Sequence, residues 1–189
     1  TLLSRAEVAM YAAKRRGVGA LAYDPAFDSG SARTISLLSG LRQAVDKGEL
    51  RLVLQPKVAL HTASVEGAEA LVRWQHPQRG LVPPMEFIPF AEQTGFIRTL
   101  TAWILDECLR TWRVLASQGL AMPLSVNLST RDLMDLELPQ RFAALLQRHG
   151  VPAEALCLEI TESAIMDDPA RAQQTLERLH EMGLRLAMD

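Results

Sequence analysis

Apolar spacing along the chain switches repeatedly between three-and-four and two, and each switch marks a change of element. Ala6, Ala9, Met10 and Ala13 recur at helical spacing and predict a helix over Ser4–Arg16, with Ser4 as N-cap, Glu7 three residues on, and Gly17 and Gly19 as the stop. Ala20–Tyr23 suits a short strand, and the small and polar run Asp24–Arg33 suits a linker. Ile35, Leu38, Leu41 and Val45 predict an amphipathic helix over Thr34–Gly48. Period two then takes over. Leu50–Leu60 and Glu66–His76 are predicted strands joined by a short connection at His61–Ser64, which makes them antiparallel neighbours. His76-Pro77 ends the second strand, because proline has no N–H for the ladder.

Beyond a loop at Gly80–Pro84, helices are predicted over Met85–Thr94 and Ile97–Gln118, the second carrying Trp103 and Trp112 as packing residues. The order is then strand Pro123–Ser129, helix Arg131–His149 capped by Thr130, strand Leu156–Ser163, helix Pro169–Met182 and strand Leu184–Asp189. Strands alternating with helices over short loops predict parallel βαβ units.

The polar residues inside these strands carry the chemistry. In Glu66–His76, the residues Glu69, Leu71 and Arg73 share one face, and Ala68, Ala70 and Val72 the other. A carboxylate and a guanidinium at a strand end suit a metal and a phosphate; the alternative is an exposed strand with a neutralising ion pair. Val53, Gln55 and Lys57 share a face of the preceding strand, where polar groups need partners unless this is an edge strand with one wet face. Three later strands end in Asn127, Glu159 and Asp189. Polar groups at the carboxyl ends of successive strands are how a TIM-type barrel builds its site. With Glu69 they make four oxygen donors, a set that favours Mg²⁺ or Mn²⁺ over zinc.

Composition narrows the class. The 189 residues are 48% hydrophobic and 22% charged, which is globular, and a net charge of -2 argues against a nucleic-acid polymer as partner. There is no transmembrane run or signal-peptide pattern, and Cys108 and Cys157 lack metal-ligand spacing, so both are expected to be reduced core thiols in a cytoplasmic protein. Starting at Thr1 without Met, the chain is expected to come from a longer protein, in which any anchor or sensor would lie upstream.

The stretch EALVRWQHP (Glu69–Pro77), the NLS of Asn127–Ser129, the EITES of Glu159–Ser163 and Asp189 after a βαβ unit together resemble the EAL domain. The resemblance covers roughly Ser36–Asp189. It implies an α/β, TIM-like (β/α)8 barrel with an antiparallel first strand, here carrying five of its strands. It also implies a cyclic-di-GMP phosphodiesterase of bacterial second-messenger signalling, which linearises the dinucleotide to pGpG with two Mg²⁺ or Mn²⁺ ions and is inhibited by Ca²⁺. Carried over by position, Glu69, Asn127, Glu159 and Asp189 resemble the metal ligands, and Gln55, Leu71 and Arg73 the dinucleotide contacts. Glu162 resembles the acid that supports the following loop, a loop tied to dimerisation, while Pro84 and Glu92 fit the family's next segment. The alternative is a catalytically inactive EAL domain that acts as a cyclic-di-GMP receptor or protein-interaction module.

Residues Arg5–Asp24 resemble the last helix and strand of a GGDEF domain, although Val18-Gly19 stands where that family usually has Arg-Asn. This gives residues 1–24 as a GGDEF remnant, 25–35 as linker and 36–189 as the EAL domain. The family's second Asp, its lysine, its later glutamate ligand and its last strands do not occur within the 189 residues. The 189-residue chain alone is therefore expected neither to close a barrel nor to turn over substrate. Val53, Leu71 and Val126 are expected to face water as interior positions of an open barrel wall.

Overall fold

The computed structural model describes residues 5–6, 9–10, 13, 18–24 and 40–188. Its organising element is β2 (Val65–His76), which is long enough to serve different neighbours along one edge. On the other edge it pairs antiparallel with β1 (Leu50–Val58), Leu50 opposite Trp74 and Gln55 opposite Glu69. Toward its C-terminus it pairs with β3 (Gly80–Val82), and toward its N-terminus, in parallel, with β4 (Leu124–Leu128). β5 (Leu156–Ile160) and β6 (Arg185–Met188) continue in parallel, so the path is β1-β2-β4-β5-β6 with β3 to one side. The antiparallel first pair and the parallel remainder follow the sequence expectation. β1 and β6 stand at opposite ends of the path, and the sheet is open.

Among the described residues the sheet has six strands where the sequence predicted five. Gly80–Val82 was expected to be loop, but it closes a short hairpin onto His76 after the strand end that His76-Pro77 predicted. Three residues show no alternation to detect.

Helices α1 (Pro84–Thr94) and α2 (Ile97–Ser117) cover one face of the sheet. Between them Gly95 has φ 76°, a left-handed conformation that suits glycine and ends α1. Against this layer lie Ala68, Ala70, Val72 and Trp74, all buried. Trp74 meets Phe87 edge-on at 5.9 Å and donates its indole N–H to Glu49 at 3.1 Å. Removing about 200 Å² of indole surface from water stabilises the fold by up to roughly 5 kcal/mol. Val126, expected to face water, is instead buried on this helical face. It alternates with Asn127, so the pleat that exposes the amide hides the valine.

The predicted single helix Arg131–His149 is two: α3 (Thr130–Leu133) and α4 (Leu138–His149). Ser129, not Thr130, caps α3, in a capping box with Asp132. Pro139 sits in the first turn of α4, where its missing N–H costs nothing, and the Asp135 carboxylate accepts from the Glu137 N–H in the break. The predicted strand Leu156–Ser163 stops at Ile160, and α5 (Glu162–Met166) follows before α6 (Pro169–Glu181).

Leu41 is buried and Val45 packs on the core, as their spacing predicted. Trp103 and Trp112 also pack on it. Residues 20–24 form no strand, and Met10 is exposed beside buried Ala9 and Ala13. The Ser4 cap, Glu7, Gly17, the 25–35 linker, Ile35, Leu38 and Asp189 lie outside the described residues. No helix among those described is long and apolar enough to cross a membrane.

Candidate functional site

The face of the sheet opposite α1 and α2 gathers the predicted polar residues. Register places them in a row: Gln55 lies opposite Glu69, Glu69 beside Ser125, and Asn127 beside Glu159. Four strands thus deliver side chains to one region, and alternation keeps the core residues on the other side.

Three hydrogen bonds tie the row together. Asn127 donates Nδ2–H to Glu69 Oε1 at 2.7 Å, which joins β4 to β2. Lys57, from β1, donates to Ser125 Oγ at 2.8 Å and also to Glu159 Oε1. Burial opposes the Lys57 charge, but the hydrogen bond and charge of Glu159 outweigh it, so the ammonium titrates above its usual range. Lys57 is the residue that sequence reasoning left out of its site. The signal was present: an ammonium on the inner face of a strand needs a partner, and the partner lies 102 residues away.

Glu69 and Arg73 do not form the ion pair that the simpler reading of this strand allowed. Glu69 is engaged by Asn127, and Arg73 donates to the Val72 carbonyl at 2.9 Å. Among the described residues no carboxylate pairs with Arg73, so its half-buried guanidinium retains bonding capacity for an anion. Leu71 lies between them, half-buried.

Beside the middle of β2 and the carboxyl end of β4 is a cavity of about 420 Å³, lined by Leu71, Pro84, Glu92, Asn127, Asp132 and Thr161 among others. This volume suits a small-molecule ligand. Its floor is acidic and dry. Asp132 is 1% exposed; its Oδ2 accepts from Thr101 and from the Ser129 hydroxyl and N–H, while its buried Oδ1 has no partner among the described residues. Burial pushes the Asp132 carboxyl up, despite these donors. Burial, then the charge of Asp132, does the same to Glu92.

The donors fit a hard divalent cation: Glu69 and Glu159 supply carboxylates and Asn127 an amide oxygen. No three of His, Cys, Asp and Glu converge on a metal position among the described residues, and the predicted donors within the described part of the chain are Glu69, Asn127 and Glu159. Asp189, the predicted fourth donor, lies outside it. Glu162 stands exposed in the first turn of α5, directly after the strand that carries Glu159. Cys108 and Cys157 are both free; Cys108 is buried, and burial pushes its thiol up to about 12.

The model of the EAL domain family matches residues 39–189. Among curated proteins, the cyclic di-GMP phosphodiesterase PA2567 of Pseudomonas aeruginosa is 36% identical over 178 residues, 94% of this chain and 30% of that one. MucR of the same organism, a bifunctional diguanylate cyclase/cyclic di-GMP phosphodiesterase, is 37% identical over 190 residues, 100% of this chain and 28% of its own. The chain therefore spans about a third or less of the length of these relatives. Among solved structures, the PaMucR phosphodiesterase in complex with c-di-GMP superposes with a TM-score of 0.76 at 38% identity, covering 82% of this chain and 63% of that one. The EAL enzyme Bd1971 in its cAMP- and cyclic-di-GMP-bound form gives a TM-score of 0.77 at 28% identity, covering 85% and 45%.

Proposed function

This chain belongs to the EAL domain family, and from that premise we propose that its strand-end site hydrolyses cyclic-di-GMP to linear pGpG in bacterial second-messenger signalling. The observation that carries the proposal is the placement of Glu69, Asn127 and Glu159 on one face of three neighbouring parallel strands, Asn127 and Glu159 at the carboxyl ends of theirs. The chain's likeness to proteins named as cyclic-di-GMP phosphodiesterases supports it.

In this reading Glu69, Asn127, Glu159 and Asp189 hold two Mg²⁺ or Mn²⁺ ions, with Ca²⁺ as an unproductive substitute. When bound, such ions activate water for in-line attack and stabilise the departing oxygen. The chain's own residues do the positioning. Asn127 fixes one carboxylate oxygen of Glu69, which limits the rotamers open to that acid. The Arg73 guanidinium holds nonbridging phosphate oxygens, with Gln55 and Leu71 beside it. Glu162, opening α5 straight after β5, steadies the loop next to Glu159 and contributes to a dimer contact. In the whole protein, GGDEF and sensor units precede this domain.

The test is Glu159→Ala in the full-length protein. Turnover of cyclic-di-GMP in Mg²⁺ should fall by more than about 100-fold, since even outer-shell losses cost ten- to a hundredfold, while the far-UV spectrum and melt stay close to those of the parent. Normal turnover with this substitution would remove Glu159 from the site.

A further inference from the structure

Glu159 is nearly buried, with 11% of its side chain exposed, and the partner that meets it is an ammonium from β1, at the end of the strand path. Lys57 sits on β1, and the path to Glu159 crosses β2 and β4. Its register partner on β2 is Gly67, so no side chain from that position stands in the way of the lysine stem. Beyond it, the Ser125 hydroxyl, itself 4% exposed, accepts a second hydrogen bond from Nζ. The lysine therefore bridges two strands at the carboxylate row, with one end of its contact nearly dry.

We propose that Lys57 is a built-in counter-cation of this site: it neutralises Glu159 while no metal is bound, and it competes with a divalent cation for that carboxylate. An ammonium and a metal ion at the same carboxylate repel each other, and the repulsion is weakly screened where the carboxylate is buried. Loading therefore requires the ammonium to withdraw from Oε1, which the four-carbon stem permits because 44% of the Lys57 side chain is exposed. Lys57 is in this sense a positioning residue that sets metal affinity. The inference rests on Glu159 being a metal ligand.

The experiment is a Mn²⁺ titration of the full-length protein without substrate, followed by the electron paramagnetic resonance signal of free Mn²⁺, at one pH. Lys57→Met should tighten Mn²⁺ binding roughly two- to fivefold, the size of a partly exposed charge pair. Its metal-free form should melt lower than the parent, because Glu159 has lost its partner. Its Mn²⁺-induced rise in melting temperature should be larger. Lys57→Gln, which keeps a hydrogen-bond donor without the charge, should show the same tightening even if Lys57→Met fails to fold. Unchanged or weaker Mn²⁺ binding in Lys57→Gln would overturn the competition. Glu159→Gln separates this from the underlying reading. If it leaves Mn²⁺ binding intact, the metal assignment fails; if it weakens binding while the lysine variants change nothing, only the role of Lys57 fails.

Discussion

Asn127 and Glu69, 58 residues apart in the chain, meet through an amide-to-carboxylate hydrogen bond of 2.7 Å. The bond spans the parallel seam between β4 and β2, and it uses the carboxylate that an ion pair with Arg73 would otherwise have taken. Among the described residues no carboxylate pairs with Arg73, so its charge stays available on the site face.

Arg73→Ala should weaken cyclic-di-GMP binding by about 10- to 100-fold, the value of a charge-assisted contact of roughly 1.5–3 kcal/mol. Isothermal calorimetry with Ca²⁺ replacing Mg²⁺ suppresses hydrolysis and measures the affinity directly. The melting temperature should change little, because among the described residues Arg73 bonds only to the Val72 carbonyl. Unchanged affinity would place Arg73 away from the ligand.

Asp132 makes stability depend on pH in a stated direction. Its folded pKa is raised by burial, so its contribution is fully present below the unfolded value of about 3.9 and is lost as pH rises through the folded value. Asn at this position carries no charge at any pH. The difference in melting temperature between Asp132→Asn and the parent should therefore move in favour of the variant as pH rises above about 4. A difference that stays flat, or moves the other way, would show that the Asp132 carboxyl is not strained by its burial.

Gly67 is held by a close approach. A Cβ there would lie 3.0 Å from the Pro123 carbonyl oxygen, which already accepts the Ala68 N–H at 3.1 Å. That oxygen cannot retreat without loosening the junction of β2 and β4. Gly67→Ala should cost about 1–3 kcal/mol in urea unfolding. A loss of less than about 0.5 kcal/mol, the level of an ordinary surface change, would mean that the junction is softer than its geometry.

Local pattern alone determined much of this protein. Period two in Glu66–His76 separated Ala68, Ala70 and Val72 from Glu69, Leu71 and Arg73, and the structure buries the first set and turns the second to the site. Proline marked an end that the structure keeps, at His76. These are effects of neighbours in sequence, so the sequence carries them. Tertiary structure decided the pairings. Whether Glu69 chose Arg73 or Asn127, and whether Lys57 faced water or Glu159, depended on strand register and on which strands became neighbours. Tertiary structure also decided the break before α4 and the three-residue strand β3, both too short to show a period. Spacing along a chain specifies which face a side chain takes; the partner it meets there is set by packing between segments far apart in sequence, and no local signal encodes it.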